Sequence, residues 1–284
     1  MNQIKTIAVI GAGTMGLGIA QLCAANCFSV LLCDANPAQA TKALAIVEKN
    51  LTSLVAKGKL TEDEKRSTFA RIKVIEIAQV VDVDLIIEAI IEKLEPKQEL
   101  FRELEATNPS AILASNTSTF PIQQIGSHLR HPGHCVGLHF FNPPTVMKLV
   151  EIISAPATDN AVVDQMKAFC MHLGKSAVLV KDSPGFIVNR VARPFYTESL
   201  KVVEEGKASM ESVDRLLKAS GFKMGPFELM DLIGVDTNLS VTTSLYEAFA
   251  KAPRFKPSPI QKQKVTEGKW GKKTGEGFYV YEKN

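Results

Sequence analysis

Cysteine, aromatic residues and net charge are all scarce in this 284-residue chain. The five cysteines are scattered and odd in number, which argues against a disulfide framework and favours core positions for them. Only 7% of the residues are aromatic and the formal charge is +3, so we expect no nucleic-acid partner. No apolar run approaches the roughly 18 residues of a membrane span, and no cleavable signal precedes the first predicted strand. We therefore expect a cytoplasmic protein without a membrane partner.

Metal-binding patterns are also lacking. The nearest approach to one is a group of three histidines, His128, His131 and His134. Pro132 and Gly133 break any helix that would align them, and no carboxylate accompanies them. This segment therefore predicts a loop and no metal site.

What the chain does contain is a glycine motif between two predicted strands. An apolar run at residues 6–10 leads into G-x-G-x-x-G, a helical segment follows, and a second apolar run ends at Asp34. Gly11 permits the tight turn, Gly13 leaves room beside the backbone, and Gly16 lets the helix approach the strand. The pattern predicts a dinucleotide whose phosphates meet the helix N-terminus. The predicted contacts are Gly11, Gly13, Thr14, Met15 and Gly16.

Asp34 lies where a ribose-binding acid is expected, at the end of the second strand. A carboxylate accepts hydrogen bonds from ribose hydroxyls and repels a 2′-phosphate. The sequence therefore predicts NAD as the cofactor in preference to NADP.

Strands and helices continue to alternate up to residue 182. Helical patterns follow Asp34 at 37–57 and from Thr61, and their outer face carries Lys57, Lys59, Lys65 and Arg66. This basic face is either simply solvated or a landing site for a phosphate-bearing part of the substrate. Further strands are predicted at 84–88, 111–114, 135–138, 148–153 and 176–180, and further helices at 96–105 and 159–173.

After residue 182 the pattern becomes helical, with helices predicted at 187–205, at 210–219 and from 225 through 249. The fold class is therefore α/β, with a Rossmann-type doubly wound sheet in residues 1–182 and a smaller all-α domain in residues 183–284. Because the helical domain is small, we expect its apolar faces to be buried in a homodimer. The glycine-rich tail, residues 270–279, predicts an ordered packing segment.

Polar side chains follow several predicted strands. The run from Ser115 to Ser118 follows one strand and is either a ligand site at a carboxyl edge or a turn that caps the next segment. His139 and Glu151 lie on neighbouring strands, where contact between them would suit a general base. A buried histidine satisfied by a backbone carbonyl is the alternative.

Six segments together resemble the L-3-hydroxyacyl-CoA dehydrogenase family along essentially the whole chain, and bacterial 3-hydroxybutyryl-CoA dehydrogenases in particular. The combination is specific, because other nicotinamide dehydrogenases share only the first segment. The segments are IGAGTMGLGIA at 10–20, ASNTS at 114–118, GLHFFNP at 137–143, VMKLVE at 146–151, PGFIVNR at 184–190 and KTGEGFY at 273–279.

The resemblance implies an enzyme that oxidises a 3-hydroxyacyl-CoA thioester with NAD. It implies that His139 is the general base, that Glu151 orients it, and that the substrate oxygen and the histidine are held by Ser118 and Asn189. Lys57 lies near the coenzyme A contacts of the family. The residues that the resemblance assigns to the nucleotide are Glu92, Lys97, Ser118, Asn142 and Lys273.

The sequence leaves three questions open. Phe120 departs from the family pattern, and it either trims the acyl pocket or packs in the core. A dehydrogenase of a free 3-hydroxy acid or sugar acid would share the fold but would need an arginine or lysine clamp, and none is decisive in the sequence. A catalytically idle, crystallin-like NAD-binding protein is the other alternative, and the intact set of predicted catalytic residues argues against it.

Overall fold

The computed structural model describes residues 4–282 and divides into two compact units between Ser183 and Pro184. The first unit is an eight-stranded sheet with helices, and the second is helical. The predicted α/β fold class is confirmed. Within residues 4–282 no helix is long and apolar enough to cross a bilayer.

The first unit contains every strand of the sheet and six helices among its described residues. The strands are β1 Thr6–Ile10, β2 Ser29–Cys33, β3 Ile72–Val74, β4 Leu85–Glu88, β5 Ile112–Ser115, β6 Cys135–Phe140, β7 Leu149–Ser154 and β8 Ser176–Lys181. The helices are α1 Thr14–Ala25, α2 Pro37–Ala56, α3 Glu62–Ala70, α4 Leu94–Thr107, α5 Ile122–Ile125 and α6 Asn160–His172.

The strand order is β3-β2-β1-β4-β5-β6-β7-β8, and every neighbouring pair is parallel except β6 and β7. The chain leaves β1 toward β2 on one side and returns to β4 on the other. This reversal is the topological switch point, outside which open parallel sheets bind their ligands. The glycine motif follows β1 and therefore lies at that point.

Burial explains the apolar strands. Ile7, Val9, Leu85 and Ile87 are fully buried, as expected for parallel strands covered on both faces. Cys23, Cys33, Cys135 and Cys170 are also buried, whereas Cys27 lies beyond the end of α1 and is exposed. The core prediction therefore holds for four of the five cysteines.

The second unit contains α7 Val188–Glu204, α8 Met210–Ala219, α9 Pro226–Ile233, α10 Val235–Ala248 and α11 Pro259–Thr266. The single helix predicted from 225 through 249 is wrong. Gly234 separates α9 from α10, because its φ of 105° is incompatible with a continuous right-handed helix. Two further elements were not predicted: α11, which has almost no apolar periodicity, and β3, a three-residue edge strand with exposed Lys73 at its centre.

Two buried aspartates hold the glycine-rich tail. Asp231 accepts hydrogen bonds from the amides of Phe278 and Tyr279 at 2.8 and 2.9 Å and from the Tyr281 hydroxyl at 2.9 Å. Asp214 accepts the Tyr279 hydroxyl at 2.8 Å. The tail is therefore an ordered packing segment, as predicted.

Candidate active site

The glycine turn leaves space where a dinucleotide is predicted. Gly11 has a φ of 101°, and a methyl group on Gly16 would lie 1.7 Å from the Gly11 carbonyl oxygen, so both positions require glycine for the turn itself. A methyl group on Gly13, by contrast, would meet no described atom within 4 Å. Gly13 is thus open on the side where a ligand can approach the backbone.

The start of α1 suits a phosphate. The first hydrogen bond of the helix runs from the Leu17 amide to the Gly13 carbonyl oxygen at 2.9 Å, so Thr14 and Met15 at its N-terminus have no helical acceptor for their amides. No acidic residue lies in this first turn. Free amides and the positive end of the helix dipole attract an anion, so these residues fit the pyrophosphate of NAD.

Asp34 is held beside the same turn. Its two carboxylate oxygens accept hydrogen bonds from the amides of Ala12 and Asn36 at 2.7 and 2.9 Å. These bonds fix the acid at the carboxyl end of β2, where a ribose is expected to lie.

His139 lies opposite Glu151 in the antiparallel ladder of β6 and β7. The imidazole Nδ1 is 2.8 Å from the Glu151 Oε2 atom, and the exposed fractions of the two residues are only 4% and 1%. A buried carboxylate on Nδ1 orients the ring and stabilises its protonated form. The contact between His139 and Glu151, which the sequence allowed but did not require, is therefore present. The partner of Nδ1 is a carboxylate and not a backbone carbonyl.

The other ring nitrogen faces the loop after β5. His139 Nε2 is 3.2 Å from the Ser118 hydroxyl oxygen, so the chain places carboxylate, imidazole and hydroxyl in a row. Phe141 packs against the imidazole with ring centroids 4.5 Å apart. Such a row allows a proton to be taken up at Nε2 while Nδ1 keeps its partner.

Glu92 shapes the loop that carries Ser118. One of its oxygens accepts hydrogen bonds from the Thr117 hydroxyl at 2.6 Å, the Ser118 amide at 2.9 Å and the Thr119 hydroxyl at 3.0 Å. Burial opposes ionisation of Glu92, but the charge of Lys97 and these hydrogen bonds outweigh it, so the Glu92 pKa lies below its ordinary value. Glu92 therefore acts as an ionised anchor for residues 117–119.

Lys97 is almost fully buried at 1% exposure, and its ammonium lies 2.6 Å from Glu88 and 3.1 Å from Glu92. Glu88 also accepts the Ser115 hydroxyl at 2.6 Å and the Ile90 amide at 2.8 Å. A nucleotide role for Lys97 stays a prediction. Its ion pair with Glu92 would let Lys97 act on the nucleotide site indirectly, by holding Glu92 in place. Sequence reasoning missed Glu88, which reads there as the last residue of a strand.

The remaining predicted site residues are more dispersed. Asn142 is exposed in the turn between β6 and β7, and Lys57 is exposed at the end of α2. Asn189 lies in the first turn of α7, in the helical unit. Lys273 belongs to the same unit, where its ammonium lies 2.6 Å from Asp236. Their binding roles stay predictions.

The basic face on α2 and α3 is partly neutralised. Lys65, which is half-buried, lies 3.4 Å from Glu62, and Arg66 lies 2.9 Å from Asp63 in a solvent-exposed pair. Half of the predicted face is thus compensated by acids of its own helix. Phe120 is partly buried, and its trimming of the acyl pocket stays a prediction beside its packing in the core.

Sequence reasoning also missed Lys175. Its ammonium donates to the carbonyl oxygens of Pro144 and Met147 at 2.6 and 2.8 Å, and it thereby fixes the turn that contains Asn142. Burial lowers the pKa of Lys175. No local pattern marks such a residue, because its partners are backbone atoms 28 and 31 positions away.

The described residues contain no group of three histidine, cysteine or acidic side chains that could hold a metal ion. The fold and the glycine turn define a dinucleotide-binding protein with a Rossmann-type sheet. A sequence model described as "3-hydroxyacyl-CoA dehydrogenase, NAD binding domain" matches residues 6–183, and one described as "3-hydroxyacyl-CoA dehydrogenase, C-terminal domain" matches residues 185–281. The chain belongs to the 3-hydroxyacyl-CoA dehydrogenase family, which confirms the resemblance and NAD as cofactor.

Relatives agree with this assignment. The chain is 44% identical over 282 residues to the 3-hydroxyadipyl-CoA dehydrogenase of Escherichia coli, covering 98% of this chain and 59% of that protein. It is 41% identical to a probable 3-hydroxybutyryl-CoA dehydrogenase of Bacillus subtilis, covering 99% and 98% of the two chains. The crystal structure of (S)-3-hydroxybutyryl-CoA dehydrogenase from Ralstonia eutropha matches with a TM-score of 0.93 and 38% identity, covering 99% of this chain and 100% of that one.

Proposed function

We propose that this protein interconverts short-chain (S)-3-hydroxyacyl-CoA thioesters, such as 3-hydroxybutyryl-CoA, and their 3-oxoacyl-CoA forms, such as acetoacetyl-CoA. The observation that carries the proposal is the buried His139, held by Glu151 at 2.8 Å and facing Ser118 at 3.2 Å. Family membership supports the thioester substrate, because the relatives are named for acyl-CoA substrates.

In the proposed reaction, NAD supplies the acceptor for the hydride that leaves C3 of the substrate. His139 Nε2 removes the proton of the 3-hydroxyl group, so that the C3–O bond becomes a carbonyl. Glu151 stabilises the resulting imidazolium through Nδ1. In the reverse direction the imidazolium returns its proton to the alkoxide that forms at C3. A positioned base of this kind contributes about 10² to 10⁴ in rate.

Two further side chains would hold the substrate oxygen. The Ser118 hydroxyl is within hydrogen-bonding distance of the imidazole, and a substrate oxygen placed beside both would be held for proton transfer. Asn189 is assigned a similar role by family resemblance, and Lys57 is assigned to coenzyme A on the same basis. The loop anchored by Glu92 keeps Ser118 in place.

One assay separates the proposed function from its two rivals. NADH oxidation is followed at 340 nm with acetoacetyl-CoA, with acetoacetate and with no substrate. The proposal expects rapid turnover of the thioester only. Faster turnover of acetoacetate would favour a free-acid dehydrogenase, and NADH binding without turnover of either compound would favour an idle binding protein.

We also propose that the helical unit forms a homodimer. Large apolar side chains remain exposed there, with Val191 at 71% and Leu216 at 67%, and an apolar groove lies between α7 and α8. Light scattering is expected to give twice the chain mass, and Leu216→Glu is expected to give the monomer. Met171→Glu, at an equally exposed apolar position of the other unit, is the matched control. A monomeric wild type would contradict the proposal.

A further inference from the structure

Two carboxylates share one ammonium at the carboxyl end of β4. The Lys97 ammonium lies 2.6 Å from Glu88 and 3.1 Å from Glu92, and these three residues are called the edge cluster. Within residues 4–282 no second basic side chain lies within ion-pair distance of either acid. With both acids ionised, the edge cluster therefore carries one excess negative charge.

Hydrogen bonds favour the ionised form of both acids. Each described contact of Glu88 brings a donor: the ammonium, the Ile90 amide at 2.8 Å and the Ser115 hydroxyl at 2.6 Å. The Ser115 oxygen accepts the Thr117 amide at 3.2 Å, so the hydroxyl proton is left for Glu88. A carboxylate surrounded by donors is stabilised as the anion. Burial opposes ionisation of Glu92, but the charge of the ammonium outweighs it and keeps the Glu92 pKa low.

The edge cluster lies between the two ends of the predicted cofactor path. In the sheet order β2-β1-β4-β5-β6, Asp34 follows β2, the glycine turn follows β1, and His139 lies on β6. A dinucleotide bound through its ribose at Asp34 and its pyrophosphate at the turn must cross the ends of β4 and β5 to bring its ring to His139. Glu88 and Ser115 are the last residues of these two strands.

The edge cluster reaches solvent through one side chain. The side chains of Lys97 and Glu88 are 1% and 0% exposed, whereas that of Glu92 is 37% exposed. Glu92 accepts the Ser118 amide at 2.9 Å, and the Ser118 hydroxyl lies 3.2 Å from the His139 ring. The excess charge is thus presented beside the residues that hold the reacting oxygen in the proposed function.

We infer that the edge cluster selects the oxidation state of the cofactor, because its excess negative charge attracts the positive ring of NAD⁺ and not the neutral ring of NADH. The inference rests on the proposed function, which brings the ring against C3 of the substrate beside His139 and Ser118. Glu88 is a positioning residue that acts through the other two. Without its charge, the Lys97 ammonium would cancel the charge of Glu92.

The arrangement also follows the charge during the proposed reaction. Hydride transfer removes the positive charge of the ring, and His139 gains a positive charge with the proton of the 3-hydroxyl group. The edge cluster stabilises the charge before the transfer, and Glu151, 2.8 Å from the imidazole, stabilises it afterwards. Removing the edge charge therefore weakens the binding of NAD⁺ relative to that of NADH.

Equilibrium binding without substrate tests the inference. The quantity measured is the ratio of the Kd of NAD⁺ to the Kd of NADH, with NADH followed by its fluorescence and NAD⁺ by calorimetry. Two opposite unit charges about 7 Å apart attract by the equivalent of roughly 3- to 50-fold in affinity, for effective dielectric constants of about 80 and 20. Glu88→Gln, which leaves the edge cluster neutral, is expected to raise the ratio by a factor in this range.

A double variant separates charge from structure. Glu88→Gln combined with Lys97→Met removes one charge of each sign, so Glu92 alone again gives the edge cluster one excess negative charge. The ratio is expected to return toward the wild-type value, although more of the buried network is lost. Glu92→Gln removes the same charge at the exposed member and is expected to raise the ratio, which keeps the inference testable where Glu88→Gln does not fold.

Two controls place the effect at the ring. ADP-ribose keeps the ribose and the pyrophosphate but lacks the ring, so its Kd in Glu88→Gln is expected to follow that of NADH and not that of NAD⁺. Glu105 is a buried glutamate near the other end of α4, where it accepts the amides of Arg130 and His131 at 2.9 and 2.7 Å. Glu105→Gln is expected to leave the ratio unchanged.

The outcomes separate this inference from the function beneath it. An unchanged ratio in Glu88→Gln and Glu92→Gln, or a loss of ADP-ribose affinity equal to that of NAD⁺, would overturn the inference alone. A double variant whose ratio stays as high as that of Glu88→Gln would do the same. A wild type that binds both cofactors but does not reduce acetoacetyl-CoA would overturn the proposed function, on which the placement of the ring depends.

Discussion

Replacing Lys97 by methionine tests the buried ion network behind the Ser118 loop. The Lys97 ammonium is 1% exposed and lies 2.6 Å from Glu88, which is itself fully buried. Methionine fills a similar volume but carries no charge. The variant therefore leaves the Glu88 carboxylate buried without its cation, and it removes the charge that keeps Glu92 ionised.

The expected cost follows from that burial. Breaking a buried ion pair by removing one partner typically costs about 3–5 kcal/mol, because the remaining charge has no compensation. We expect a loss of this size in the free energy of unfolding of Lys97→Met at pH 7. Lys93→Met removes an exposed lysine just before α4, and its effect should stay within about 0.5 kcal/mol.

Urea unfolding followed by circular dichroism measures both variants. The double variant Lys97→Met, Glu88→Gln should recover part of the loss, because it also removes the uncompensated carboxylate. A Lys97→Met protein as stable as Lys93→Met would refute the argument that the buried pair supports this loop.

The difference between wild type and Lys97→Met should also depend on pH. The folded-state pKa of Glu92 is lowered, so its contribution to stability is present above the unfolded-state pKa and is lost as pH falls through the folded-state value. The methionine variant lacks most of this contribution. The stability gap is therefore expected to narrow below about pH 4.3, the ordinary value for a glutamate. A gap that widens in acid would contradict the assignment of Glu92 as an ionised anchor.

Three further predictions concern the dinucleotide turn and the imidazole. Glu151→Gln is expected to lower kcat by about 10- to 100-fold in steady-state assays, less than loss of His139 itself, because the ring keeps a neutral partner. Gly13→Ala is expected to weaken NAD binding, measured by calorimetry, and to leave the melting temperature at the wild-type value. Gly16→Ala should lower the melting temperature, because only the methyl group on residue 16 would collide with the backbone. Wild-type kcat/KM should favour NAD over NADP, and a clear NADP preference would remove Asp34 from its predicted role.

Much of the first unit could be predicted because its signals are local. One short stretch of the chain carries the strand at 6–10, the glycine turn and the strand at 29–33. It combines apolar runs with the glycines that the turn requires. The contact between His139 and Glu151 could also be predicted, because two adjacent strands joined by a short turn place such side chains opposite each other. The catalytic roles of both residues remain a prediction that mutagenesis must test.

The parts that were missed depend on long-range contacts. Glu88 reads in the sequence only as the last residue of a strand, and the folded chain shows that it is buried against Lys97. Gly234 interrupts a helix whose apolar spacing continues across it, so periodicity alone merged α9 and α10. Arg193 is likewise buried through hydrogen bonds to Asn238 and Thr242, 45 and 49 residues further along the chain.

The most direct test of the central claim is single-turnover reduction of acetoacetyl-CoA by NADH in wild type and His139→Ala. Loss of the imidazole is expected to slow hydride transfer by about 10² to 10⁴, while NADH binding, measured by fluorescence, stays close to that of wild type. His128→Ala, at an exposed histidine of the same unit, serves as the control and should react normally. A His139→Ala protein that reduces the thioester at nearly the wild-type rate would contradict the account.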